Sequence, residues 1–73
     1  MWERIRALRE DRDLSQKDIA LELNVAQTTY SDYEHAKINI PVHTLIRLAL
    51  FYDVSIDYLV GITDEPRPYK RSK

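Results

Sequence analysis

The sequence has no cysteine and only one glycine, Gly61, among its 73 residues. The missing cysteine excludes disulfides, thiol nucleophiles and zinc ribbons, and it suits a reducing compartment. The shortage of glycine says more. Sharp turns between helices ordinarily put glycine where φ must be positive, so other residues must fill those places here. Long apolar runs are absent as well, and none approaches the roughly 20 residues of a membrane-spanning helix. Nor is there a basic excess, since the formal net charge is −1. Residues 1–61 carry seven Lys and Arg against ten Asp and Glu, and residues 62–73 carry four against two. Contact between this body and a polyanion would have to rest on locally placed charges and backbone dipoles. Met1-Trp2 runs straight into ERIRALREDRD, so no secretory leader is expected and the expected location is the cytoplasm.

What is present is helical periodicity, in a composition that is 44% hydrophobic and 32% charged. Trp2, Ile5 and Leu8 recur at helical spacing and place a first helix over Trp2 to Arg12. Ser15 and Asp18 form a capping-box pair for a second helix that ends near Leu23. Asn24, which tolerates the left-handed conformation, follows with Val25. The stretch AQTTYSDYE makes a third helix, with Ala26, Thr29, Tyr30 and Tyr33 on one face. Gln27, Thr28, Ser31, Asp32 and His35 share the opposite face, and Glu34 lies at the border. HAKINI is a loop, and Pro41, suited to a first helical turn, opens a fourth helix through Tyr52. Asp53 and Val54 make a tight turn, Ser55 caps a fifth helix, SIDYLV, and Gly61 stops it. ITDEPRPYKRSK, with two prolines and a basic end, reads as a tail or extended arm. The expected architecture is all-α: five short helices over 1–61, and a tail over 62–73.

The residues RIRALREDRDLSQKDIALELNVAQTTYSDYEHAK and HTLIRLALFYDVSIDYLVG resemble the helix-turn-helix domains of the phage repressor and Cro family. The resemblance covers nearly everything from Arg4 to Gly61. Several features carry it together: LSQ at the second helix's start, Ala20, the turn at Asn24-Val25, Tyr33-Glu34 and DVSIDYLVG. It implies a compact five-helix repressor-like domain that binds double-stranded DNA with its third helix in the major groove. The family commonly has glycine where this chain has Asn24, Ala36 and Asp53. Asn and Asp enter the left-handed region at modest cost, whereas Ala36 does so less easily, which implies strain or a different shape in the following loop.

The resemblance further implies that Gln16 binds a DNA phosphate beside the positive end of the second helix. Helix N-termini offer N–H groups to anions whatever the net charge of the protein. It also implies an internal ion pair between Arg9 and Glu34. On the outward face of the third helix, Gln27 can make a bidentate contact with adenine, and Thr28 can set its methyl against that of thymine. Ser31 and Asp32 complete the base-reading candidates. Asp32 has two readings, as an acceptor from a cytosine amino group or as a charge that repels wrong sequences. Lys17, Lys37 and Asn39 are candidate backbone contacts. Tyr30 and Tyr33 belong to the core, because base faces are hidden inside a duplex.

Catalytic chemistry finds no support. His35 and His43 are the only histidines, so neither a metal site nor a cofactor is expected, and no nucleophile elbow or phosphate loop is present. The fourth helix is apolar nearly all round and wants burial on several sides. Leu50, Phe51, Ile56 and Tyr58 are candidates for a homodimer interface, or alternatively for closing the monomer core. The expected function is a transcriptional repressor acting as a dimer on a palindromic operator, nucleoid-associated when bound. The rival readings keep the fold but change the partner: a protein-interaction module without DNA binding, or an antitoxin that also binds a toxin.

Overall fold

The structure, a computed structural model, describes residues 2–68. Five helices follow in order: α1 Glu3–Asp11, α2 Gln16–Leu23, α3 Gln27–Glu34, α4 Val42–Tyr52 and α5 Ile56–Leu59. No strand occurs among the described residues, so the fold is all-α as expected. The boundaries shift slightly. Pro41 stands outside α4 as its N-cap, in extended conformation, and not in the first turn. The α5 helix shrinks to four residues between Ser55 and Val60.

How the helices end answers the shortage of glycine. The residue leaving each helix is left-handed: Asp13 (φ 55°), Asn24 (59°), Ala36 (58°), Asp53 (57°) and Gly61 (85°). Each of these donates its N–H to the carbonyl three residues back, and the next residue donates to the carbonyl five back. Val25 reaches the Ala20 carbonyl at 2.9 Å, Lys37 that of Asp32 at 2.9 Å, and Val54 that of Ala49 at 3.0 Å. This is the Schellman arrangement, which satisfies carbonyls that a helix end leaves unpaired. One motif is therefore used five times, and glycine serves only the last. Ala36 has neither the short polar side chain nor the missing Cβ that makes the left-handed region accessible. Asp13 takes this conformation between the end of α1 and the cap of α2, where no glycine or asparagine marks it in the sequence.

The core is formed by Ile5 of α1, Ile19, Ala20 and Leu23 of α2, Tyr30 and Tyr33 of α3, and Leu48, Ala49 and Tyr52 of α4, with Ile40, Val54 and Leu59. Burying one aliphatic side chain of this size contributes about 1.5–3 kcal/mol. Ala20 is buried on the inner side of α2, where its small side chain permits a neighbouring helix to approach closely. The Tyr30 and Tyr33 rings meet edge to face, with centroids 6.4 Å apart. Ser15 accepts from the Asp18 N–H while Asp18 accepts from the Ser15 N–H, which fixes the start of α2. The end of α4 has no basic residue of its own. Arg12 supplies one, donating to the Tyr52 carbonyl at 3.1 Å with its guanidinium 5.1 Å from the Tyr52 ring centre.

After Gly61 the chain returns to the body. Arg4 lies 4.2 Å over the Tyr58 ring, donates to the carbonyls of Tyr58 and Thr63, and pairs with Asp64 at 2.6 Å. The Ser55 N–H donates to the Pro66 carbonyl at 3.0 Å. Residues 62–68 therefore lie against α1 and α5, while the basic end with Lys70, Arg71 and Lys73 lies outside the described residues. No helix among the described residues is long and apolar enough to cross a membrane.

Candidate nucleic-acid interface

Three helices converge on the Glu34 carboxylate, whose side chain is only 3% exposed. Its Oε2 accepts from Arg9 Nε at 2.7 Å and from the Tyr30 hydroxyl at 2.6 Å. Its Oε1 accepts from Arg9 Nη2 at 3.2 Å and from Gln16 Nε2 at 3.1 Å. Arg9 also donates to the Leu14 carbonyl at 2.9 Å. Burial pushes the Glu34 pKa up, but hydrogen bonds from Arg9, Tyr30 and Gln16, together with the charge of Arg9, outweigh it and hold the carboxyl below its ordinary range. The hydrogen bond to Glu34 likewise raises the pKa of Arg9 against the opposing effect of burial. Nearby, the buried Tyr52 hydroxyl has no hydrogen-bond partner among the described residues, and burial pushes its pKa up to about 12. One acid of α3 is thus the internal counterion that ties α1, α2 and α3 together.

The structure gives Gln16 a partner the sequence reading had not assigned it. One amide N–H is committed to Glu34, and the second N–H and the amide oxygen have no partner among the described residues. Ser15 caps the Asp18 N–H, and the N–H groups of Gln16 and Lys17 have no partner among the described residues. The start of α2 therefore presents a fixed amide and two backbone donors on one side, with the exposed Lys17 close in sequence. An open cleft of about 160 Å³ adjoins Gln16, lined by Arg6, Arg9, Gln16, Glu34 and His35. Arg6 and His35 were missed at the sequence level. A signal for each was available: Arg6 precedes Arg9 by one turn of the same helix, and His35 follows Glu34 directly.

Along α3, Gln27 and Thr28 are exposed on the first turn, and no side chain caps this helix start. Ser31 and Asp32 are half-buried one turn later. The Ser31 hydroxyl lies 3.4 Å from His35 Nδ1. Tyr30 and Tyr33 point into the core and fix which face is left outside. Lys37 and Asn39 are both exposed in the segment that links α3 to Pro41. Among the described residues, no cluster of three metal-ligating side chains occurs.

The dimer candidates divide. Leu50 is 53% exposed and Ile56 36%, while Phe51 and Tyr58 are half-buried against the core. Two residues absent from that set, Val42 at 70% and Ile46 at 43%, join Leu50 at four-residue spacing along α4. They form one apolar stripe on its outer side. Arg47, the only charged residue of α4, is turned toward α2 and donates to the Glu22 carbonyl at 2.6 Å.

A model of the helix-turn-helix family matches residues 5–59. The chain is 38% identical over 90% of its length to an uncharacterized HTH-type transcriptional regulator, YobD, of Bacillus subtilis, covering 59% of that protein. It is 40% identical over 80% of its length to the cryptic phage CTXphi transcriptional repressor RstR of Vibrio cholerae, covering 52% of it. A third relative, the HTH-type transcriptional regulator ImmR of Bacillus subtilis, is 34% identical over 84% of the chain and is covered over 48% of its own length. The chain spans about half the length of the curated relatives it matches. It belongs to the helix-turn-helix family, the one its sequence resembles.

Proposed function

We propose that this domain binds a specific double-stranded DNA sequence and represses transcription from it, with α3 in the major groove. The observation that carries the reading is the geometry around Glu34. A buried carboxylate joins α3 to α1 and α2, so that Gln27 and Thr28 stand outside while Gln16 is held beside the open start of α2. Base-reading groups gain from rigid support, because a fixed donor loses little entropy on binding. In this reading Gln16, Lys17, Lys37 and Asn39 hold the phosphate backbone, and Gln27, Thr28, Ser31 and Asp32 face base edges. No cofactor and no catalytic step is involved. The repressor among the relatives supports the sense of regulation, and the site of action is nucleoid DNA in the cytoplasm.

The stripe Val42, Ile46 and Leu50, with Ile56, supports a homodimer, since such a run gains from cover and a helix can present it to a copy of itself. A dimer of this motif class places half-sites roughly 34–36 Å apart, one turn of DNA, on a palindromic operator. Selection of bound duplexes from a random pool, followed by sequencing, tests both parts. Enrichment of a two-fold site is the expected result. An enriched site without symmetry removes the dimer, and no enrichment turns the reading toward a protein-interaction module or antitoxin, for which the acidic body is the best argument.

A further inference from the structure

His35 closes α3 as an exposed residue, with its Nδ1 2.8 Å from the Ser31 carbonyl oxygen. A carbonyl can only accept, so the proton of the neutral ring sits on Nδ1 and Nε2 is left bare. The ring is thereby held in one orientation at the rim of the cleft it shares with Arg6, Arg9, Gln16 and Glu34. The charges around it are few. From α1 come Arg9, which is committed to Glu34, and Arg6, whose one acidic partner among the described residues is Glu10 at 3.1 Å in an exposed pair of the weak i,i+4 kind. From α2 come Gln16, which is neutral, and Lys17 beside it. From α3 itself come Glu34, already saturated by four donors, and Asp32, three residues before the histidine.

We propose that His35 is a proton-dependent phosphate contact at this cleft, so that affinity for DNA rises as pH falls toward 6. The inference rests on the DNA-binding reading above. With the ring neutral, a phosphate oxygen seated between Gln16 and Arg6 meets the bare lone pair of Nε2, acceptor against acceptor. With the ring charged, Nε2 carries an N–H and a positive charge toward the same oxygen, and the contact becomes a charge-assisted hydrogen bond. Histidine is the side chain whose charge ordinarily changes between about pH 5 and 8. Nothing has to move for the change to act, because the Ser31 carbonyl holds the ring in both states.

The test uses the full chain and a mixed-sequence duplex, titrated at about pH 8 and about pH 6, each at about 50 and 200 mM salt. Neutralising one more phosphate steepens the salt dependence by about 0.9 in the double-logarithmic slope. The ratio of affinities at the two salt concentrations should therefore be about 3.5-fold larger at the lower pH. His35→Asn should bind with the same salt slope at both pH values, and His35→Lys should show the steeper slope at both. His43→Asn, at the exposed start of α4, should behave as the wild type does. If His35→Asn keeps the full pH dependence, or if His35→Lys follows the wild-type pH profile, the histidine is not the contact. If the wild-type chain binds no duplex at either pH, the DNA-binding reading itself fails, and this inference fails with it.

Discussion

Replacing Glu34 by alanine should be the most damaging polar substitution on α3. The change deletes both acceptors of Arg9 Nε and Nη2, at 2.7 and 3.2 Å, and the acceptor of the Tyr30 hydroxyl at 2.6 Å. Arg9, whose side chain is 12% exposed, would keep only the Leu14 carbonyl. Breaking a buried pair by removing one partner costs about 3–5 kcal/mol, because the remaining charge is stranded. A domain of this length has a total stability of about 4–11 kcal/mol, so the loss is a large fraction of it. At roughly 4–8 °C per kcal/mol, the melting temperature should fall by at least about 12 °C. Asp32→Ala, on the same helix, should stay within about 0.5 kcal/mol of wild type. The pH dependence adds a second arm. The Glu34 pKa is depressed in the folded state, so its contribution is fully present above the unfolded value of about 4.3 and is lost as pH falls through the folded value. Glu34→Gln should therefore be less stable than wild type at neutral pH, and the gap should close as pH falls below the unfolded value and through the depressed folded one. Urea unfolding followed by far-UV circular dichroism reads both effects. Equal stabilities for Glu34→Ala and Asp32→Ala would refute the reasoning, as would a gap to Glu34→Gln that does not depend on pH.

Ala36→Gly should stabilise the domain, since relief of about 1–2 kcal/mol of left-handed strain exceeds the roughly 0.5–1 kcal/mol of extra unfolded-state entropy; a lower melting temperature would count against strain at Ala36. Gln16→Ala should weaken binding to all duplexes by a similar factor, whereas Gln27→Ala should lose about 1–3 kcal/mol on the preferred site alone. Titrations on the selected and scrambled duplexes separate the two patterns. Asp32→Ala should raise affinity for scrambled DNA, because a like charge leaves the face of α3. A loss confined to the preferred duplex would instead mark Asp32 as an acceptor from cytosine. Ile46→Glu should shift the chain to monomer in sedimentation while leaving its helical content unchanged, and an unshifted dimer would place the interface elsewhere.

Much of the fold was legible because its signals are local. The Ser15–Asp18 capping pair, the apolar spacing of Trp2, Ile5 and Leu8, and the turn at Asn24-Val25 each depend on residues within a few positions of one another. The left-handed exits were legible only in part. The resemblance marks Asn24, Ala36 and Asp53 as positions where its family commonly has glycine, but Asp13, also left-handed, lies among surface acids and carries no such mark. The outer side of α4 was hidden for a different reason. A helix apolar all round has no preferred face in its sequence, and packing alone decides that Leu48, Ala49 and Tyr52 turn inward while Val42, Ile46 and Leu50 stay outside. The cleft was the least legible feature, because Arg6, Gln16 and His35 meet only through the crossing of three helices.

On the proposed reading, the same crossing explains how α3, with two acids and no lysine or arginine, serves as the DNA-reading element. Of those acids, Glu34 is buried and is neutralised within the protein by Arg9. Its field toward the outside is that of a closed ion pair, so it opposes a polyanion little. Gln16, drawn into the same network, donates one amide N–H to Glu34 and is thereby fixed in the orientation of the other. That exchange couples stability to recognition. If Gln16 holds a phosphate, a change at Glu34 should release the glutamine as well as unpair Arg9. Under conditions where a Glu34→Gln variant is still folded, its affinity for all duplexes should therefore fall together, with sequence preference kept. A Glu34→Gln variant that is folded but binds every duplex as tightly as wild type would show that Gln16 needs no such support.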